Sequence, residues 1–278
     1  MRTVLLVVVG IAAVLVLAVV VARRRWHAGT DAAVQRLLAA PMPSGRVTFA
    51  GVDTLPAPVA RYLRAVLREG QPLVRHARLA QDGDFLMDAA KGTWVPFTAT
   101  QHIAPGAPGF VWAAAMRMAP GLDALVRDAF VEGAGAMQAS ALGLKTIVDQ
   151  RGTPAIAQGA LYRYLAEAVW VPTTLLPSQG VTWTAIDERR ALATLVVGAT
   201  RASVEFRFGS DDLVQSIHAP DRMRDVAGTG VPTPWEGRWF DYAERGGMRI
   251  PVRGEVGWVL PEGLQLYWKG RVTEAAYD

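Results

Sequence analysis

Glu167 lies in the run Tyr162-Arg163-Tyr164-Leu165-Ala166-Glu167-Ala168-Val169-Trp170, a carboxylate set among apolar neighbours. On a helix, Arg163, Tyr164 and Trp170 fall three or four residues from it and share its surroundings. Buried there, the carboxylate needs a partner or a raised pKa, and either makes it a ligand contact or a general acid. The plainer role is an ion pair with Arg163 on a partly exposed face. A second dense run, Pro232-Thr233-Pro234-Trp235-Glu236-Gly237-Arg238-Trp239-Phe240-Asp241-Tyr242, reads as a rigid loop entering a strand at Gly237. Trp235, Trp239 and Asp241 share one side of that strand, and Glu236, Arg238, Phe240 and Tyr242 the other. Glu236 and Asp241 are therefore poorly placed as an acid and base pair on one strand. Joined to Glu167 from another element, either makes a carboxylate pair of the glycosidase kind, so a carboxylate-dependent hydrolase is one function open to the chain.

Other chemistries lack their residues. Cysteine is absent, which removes thiol nucleophiles, thiolate metal sites and disulfides together. His27, His76, His102 and His218 are far apart, none at the short spacing of a metal-binding pair, and neither metal nor cofactor is expected. No G-x-S-x-G elbow, H-E-x-x-H helix or phosphate loop occurs, and Gly133-Ala134-Gly135 reads as a strand turn. Nine tryptophans remain to be placed. Trp26 fits an interfacial aromatic belt, and the others either fill a sheet core or line an apolar cavity. The candidate ligand-binding residues are Trp112, Tyr164, Glu167, Trp170, Trp235 and Trp239, with Glu167 holding a polar head by hydrogen bond.

These side chains are carried by a chain that opens on an unbroken apolar run from Met1 to Ala22, followed by Arg23, Arg24 and Arg25. At about 1.5 Å rise per residue the run crosses a hydrocarbon core of about 30 Å. A cleaved signal peptide would have a shorter apolar region and a polar stretch before the cut, so the segment reads as a retained single-pass anchor. The positive-inside rule places the arginine-rich flank, and the domain after it, on the cytoplasmic side. Removing Arg2 and these three arginines leaves 25 basic residues against 25 acidic, because no acid precedes Asp31. A neutral domain lacks the basic surface that nucleic acid requires, and the expected partners are the bilayer and an apolar or lipid-like ligand.

Residues 1–25 form the anchor, 26–54 a membrane-proximal neck, and 55–278 a single domain. In the neck, Thr30 or Asp31 can cap a short helix through DAAVQRLLAA. Leu55 to Gly70 is an amphipathic helix, with Val59, Tyr62, Leu63, Val66 and Leu67 at helical spacing and Arg61, Arg64 and Arg68 on the other side. From Leu73 the period falls to two. Strands are predicted at 94–103, 110–118, 125–132, 181–187, 191–197, 201–208, 237–242, 255–260 and 264–273. Asp82-Gly83, Ala119-Pro120-Gly121, Gly209 to Asp212, Gly246-Gly247 and Pro261-Glu262-Gly263 read as turns between strands. One helix interrupts them, capped by Thr153, begun by Pro154 and ended at Pro172. The fold class is α+β: an N-terminal transmembrane helix, then a curved, half-barrel-like antiparallel sheet with one or two packed helices. Spacing of the βαβ kind is missing.

The segments LPAPVARYLRAVLREGQPL (55–73), WVPFTATQ (94–101), PGFVW (108–112), RYLAEAVWVPTTLLPSQGVTW (163–183), PTPWEGRW (232–239) and GEVGWVLPEG (254–263) resemble a bacterial family known only as a domain of unknown function. The resemblance covers residues 52–278 and implies no activity. The strand Phe110-Val111-Trp112 and the hairpin FDYAERGGMRIP (240–251) are similar to the lipoprotein-carrier class, in which a half-open sheet folds over helices and holds acyl chains. That likeness implies an apolar ligand in a concave sheet, bound without covalent chemistry. The hydrolase and a non-enzymatic membrane scaffold are the alternatives.

Overall fold

The structure is a computed structural model that describes all residues, 1–278. Its first element, α1 (Arg2–Leu38), is one continuous helix. The separate neck helix expected from Thr30 or Asp31 does not form, because the Thr30 hydroxyl donates back to the Trp26 carbonyl at 3.2 Å, within the helix. α2 (Phe49–Val52) and α3 (Ala57–Val66) follow, and the chain after Val66 is extended.

Six strands come next: β1 (Ala77–Asp88), β2 (Thr93–Ala104), β3 (Gly109–Ala119), β4 (Leu122–Val131), β5 (Ala134–Ala141) and β6 (Lys145–Arg151). α4 (Pro154–Ala166) then runs into short 3-10 turns at Glu167–Trp170, Pro172–Leu175 and Pro177–Gln179. The last seven strands are β7 (Thr182–Asp187), β8 (Arg190–Val197), β9 (Thr200–Phe208), β10 (Val214–Val226), β11 (Thr229–Arg245), β12 (Met248–Leu260) and β13 (Gly263–Tyr277). All thirteen lie in one antiparallel sheet, in the order β6-β5-β4-β3-β2-β1-β13-β12-β11-β10-β9-β8-β7. Two meanders thus join where β1 pairs with β13.

The sheet is so strongly curved that α4, on its concave side, touches β4 and β5 of one flank and β8, β9 and β10 of the other. The Gln150 amide reaches the Asp225 carboxylate at 3.1 Å, linking β6 to β10. Alternation sorts the residues between faces. Phe110 and Trp112 of β3 point into the main core with Leu161, Leu165 and Trp170, whereas Val111 points the other way. On that convex face Ala33 and Leu37 of α1 pack against Ala104, Val111, Ala129 and Val131. α3 covers part of the main core with Val59, Tyr62, Leu63 and Val66; its two arginines are paired, Arg61 with Asp212 and Arg64 with Asp53, and Arg68 just beyond it pairs with Glu244.

Two further segments differ from their predicted form. Asp82-Gly83 is not a turn but the middle of β1, where Gly83 faces Gly270 and a Cβ would run into the Lys269 carbonyl. The Pro-Thr-Pro segment is not a loop but part of β11, with Pro232 opposite Met223 and Thr233 opposite Arg222.

Candidate functional site

Five of the six candidate residues lie within the domain core and Glu167 is partly buried beside them, and four elements bring them there. β3 carries Trp112, α4 carries Tyr164, the turn after α4 carries Glu167 and Trp170, and β11 carries Trp235 and Trp239. Thr153 accepts a hydrogen bond from the Ile156 amide and Pro154 occupies the first turn, so α4 starts where its sequence dictates. Trp170 is held by an N–H bond to the Pro251 carbonyl at 3.1 Å. It meets Trp239 edge-on at 5.1 Å and Trp268 at 6.3 Å between ring centroids. Phe97 then connects Trp268, at 6.0 Å, to Trp112, at 5.7 Å. Trp239, Trp170, Trp268, Phe97 and Trp112 form one aromatic wall on the concave face. Trp235 stands apart from it, donating to the Tyr267 hydroxyl at 3.0 Å with the Arg222 guanidinium over its ring.

Glu167 anchors a polar chain through this apolar region. Its Oε1 lies 2.8 Å from Arg163 Nε, and Arg163 Nη1 lies 2.7 Å from Asp128 Oδ2 on β4. Its Oε2 accepts from the Gln101 amide at 2.7 Å. Gln101 in turn accepts from Gln81 at 3.1 Å, and Gln81 accepts from the Trp112 indole at 2.8 Å. Burial pushes the Glu167 carboxyl above its usual range, while Arg163 and the Gln101 bond oppose the shift. Burial also raises the Tyr164 phenol. Gln81, Gln101 and Asp128 were not singled out by sequence. Gln101 carried a signal, since it shares the inward side of its predicted strand with Phe97, Ala99 and Ile103.

The three carboxylates of the hydrolase alternative are not brought together. Glu167 is engaged on the concave side, and Glu236, next to inward-facing Trp235, points outward and binds Arg238 at 2.8 Å. Asp241 is exposed and pairs with Arg253. Its φ of 56° turns the strand, so that Asp241 leaves the parity of Trp239 while Tyr242 points inward and donates to the Val214 carbonyl at 2.8 Å. At this kink a surface pocket of about 460 Å³ opens. Leu213, Trp239, Phe240 and Tyr242 supply its apolar lining, and Arg238 and Arg249 its cationic lining. A second pocket, of about 410 Å³, lies under α1 and is lined by Trp26, Asp31, Arg78 and His102. There His102 Nδ1 meets His76 Nε2 at 3.1 Å, and His76 Nδ1 is 3.5 Å from Asp278.

Fold and site together define an α+β protein in which one curved antiparallel sheet wraps a helix, with a long apolar helix on its outer face. Residues 53–277 match a family of unknown function, DUF6920, and the chain belongs to that family. No curated protein matches it. Among solved structures it is similar to a domain from Vibrio parahaemolyticus described as an outer membrane lipoprotein-sorting protein, at 7% identity over 73% of this chain and 85% of that one, with a TM-score of 0.41. It is also similar to a DUF1329 family protein from Desulfovibrio piger (11% identity, TM-score 0.41) and a LolA superfamily protein from Nitrosomonas europaea (11% identity, TM-score 0.38), each over 84% of this chain and 94% of the other.

Proposed function

We propose that this protein is held in a membrane by α1 and binds an apolar or lipid-like ligand on the concave side of its sheet, without covalent chemistry. The observation that carries this reading is Trp239. It is 4% exposed, and its indole N–H has no partner within the protein. Leaving a buried donor unpaired costs about 1–3 kcal/mol, which an ester or headgroup oxygen of a ligand would recover. Trp239 is also among the residues lining the pocket at the β11 kink, where the apolar side chains suit an acyl chain and Arg238 and Arg249, set beside Asp211 and Asp241, suit a polar head. From Trp239 the aromatic wall leads through Trp170 to Trp112, and Glu167 and Gln101 offer a polar contact at its far end. A ligand that follows the wall inward must shift α4, which Arg163 ties to β4 by an ion pair. Separated carboxylates support a binding role over the hydrolase.

The test is native mass spectrometry of the full chain taken from membranes in mild detergent, followed by solvent extraction and lipid analysis. One lipid per chain is expected to survive detergent exchange, and Trp239→Phe, which removes the spare donor, should release most of it. A chain that is empty throughout overturns the reading and leaves the scaffold.

A further inference from the structure

α1 is not a free tether. Val19, Ala22, Arg23, Trp26, Thr30, Ala33, Val34, Leu37 and Leu38 are the residues of its middle and C-terminal part that lose exposure, and their recurrence at three and four residues makes one continuous stripe. The stripe starts at Val19, about one turn inside the apolar run that ends at Ala22. Two hairpins meet the helix at this level. Arg23 Nη2 lies 2.6 Å from Asp123 Oδ2, beside the β3–β4 turn. At the tip of β5–β6, a Cβ built on Gly143 would stand 2.9 Å from the Ala22 carbonyl carbon.

Beyond those contacts the hairpins end in exposed apolar side chains: Met118 and Leu122 at 41%, Leu144 at 54% and Ile147 at 56%. Arg117 and Lys145 lie beside them, also exposed. Leu122 is one residue nearer the hairpin tip than Asp123, so the β3–β4 turn reaches a few Å further, at about 3.3 Å per residue, than the Arg23 contact. If the helix is inserted as far as Ala22, these tips are at or within the boundary between headgroups and acyl chains. Apolar side chains with flanking cations are the composition that this layer takes up.

We propose that the β3–β4 and β5–β6 hairpin tips, through Leu122 and Leu144 with Met118 and Ile147, are embedded in the same bilayer leaflet surface through which α1 emerges. The domain is thereby fixed at the membrane in one orientation. This rests on the reading of α1 as a membrane anchor.

The chain has no cysteine, so single cysteines can be spin-labelled without background. Leu122→Cys, Leu144→Cys, Val8→Cys and Met42→Cys are made in the full chain and placed in vesicles of phosphatidylethanolamine with a minority of phosphatidylglycerol. Relaxation by oxygen, which concentrates in the bilayer, is compared with relaxation by an aqueous nickel chelate. Both tip labels are expected to favour oxygen several-fold, as Val8→Cys does, while Met42→Cys, beyond the far end of α1, favours nickel. Tip labels that favour nickel while Val8→Cys favours oxygen overturn the proposal and leave the anchor intact. Nickel preference at Val8→Cys as well overturns both. Tip labels shielded from both reagents overturn the proposal in favour of a protein contact.

Discussion

Arg163 and Glu167 face each other at 2.8 Å across one helical turn, with only 14% and 13% of their side chains exposed. The pair closes α4 against the sheet, because the same guanidinium also holds Asp128 of β4 and lies over the rings of Phe110 and Trp112. One cation answers two carboxylates in a mostly apolar setting, so its removal and the removal of either acid are unequal changes.

Arg163→Met leaves Asp128 and Glu167 buried without their cation and should cost about 3–5 kcal/mol. Glu167→Gln keeps the Arg163–Asp128 pair and a side chain able to bond Gln101, and should cost about 1–3 kcal/mol. Urea unfolding of the full chain in detergent gives both values. A larger loss in Glu167→Gln would show that Glu167, not Arg163, is the centre of the chain.

His102 sets a pH dependence. Burial, with His76 and Arg78 nearby, lowers its pKa from 6.5 to about 4. The unfolded chain therefore takes up the proton first, and the stabilisation is present above pH 6.5 and lost as pH falls towards 4. Glu167 has the opposite sign, since its raised pKa contributes stability at low pH that is lost as pH rises through the folded value. Unfolding midpoints across pH 4 to 6.5 should fall on acidification in the native chain and less steeply in His102→Gln. Parallel curves would remove His102 as the cause.

Trp170→Ala deletes a side chain that is 1% exposed and should cost about 3–5 kcal/mol. It therefore unsettles the domain along with any ligand, and Trp170→Phe is the variant that separates the two. The Phe variant keeps an aromatic ring in the site, loses the bond to the Pro251 carbonyl and part of the indole volume, and should cost about 2–3 kcal/mol, less than Trp170→Ala. Equal losses in the two variants would mean that the ring kept by Phe contributes nothing, and that the indole's hydrogen bond and second ring hold this position.

Much of this architecture was legible in period-two patterning. β9 shows it cleanly, with Ala202, Val204, Phe206 and Phe208 all buried as their alternation requires. β5 was not legible, because AGAMQASA lacks the branched and aromatic residues that mark a strand. β10 was hidden by the proline in HAPDRMRDV, tolerated where the ladder with β11 shifts register after Ala219. Gly83 in β1 resembled a turn residue, yet it is needed because the β13 backbone passes too close for a Cβ. For the site, inward-facing Trp235 and Trp239 followed from parity, while Asp241 did not, since its positive φ turns it outward. The Arg163 partner of Glu167 followed from helical spacing, but Gln101, Gln81 and Asp128 were beyond reach because a pairing of β1, β2 and β4 with α4 depends on curvature, which no local pattern encodes.

The docking of α1 yields a graded prediction. Arg127 of β4 donates to the Thr30 hydroxyl at 3.0 Å and the Trp26 carbonyl at 3.4 Å, and its guanidinium lies 4.9 Å from the centre of the Trp26 ring. Its other nitrogens bind Gln138, so the group is fixed before it meets the helix. Arg23–Asp123 is the second tie, but its side chains are 34% and 24% exposed, and solvent screening limits such a pair to about 1 kcal/mol. Arg127→Met keeps an apolar stem and removes the ties to Thr30 and Trp26, whereas Asp123→Asn removes only the exposed one. Hydrogen exchange at the amides of residues 26–37, measured with the full chain in lipid discs, should speed up markedly in Arg127→Met and slightly in Asp123→Asn. The packing of Ala33 and Leu37 against Val111 and Ala129 remains in both, so the helix loosens without separating. Equal exchange in all three chains would show that this apolar contact alone holds α1 to the sheet.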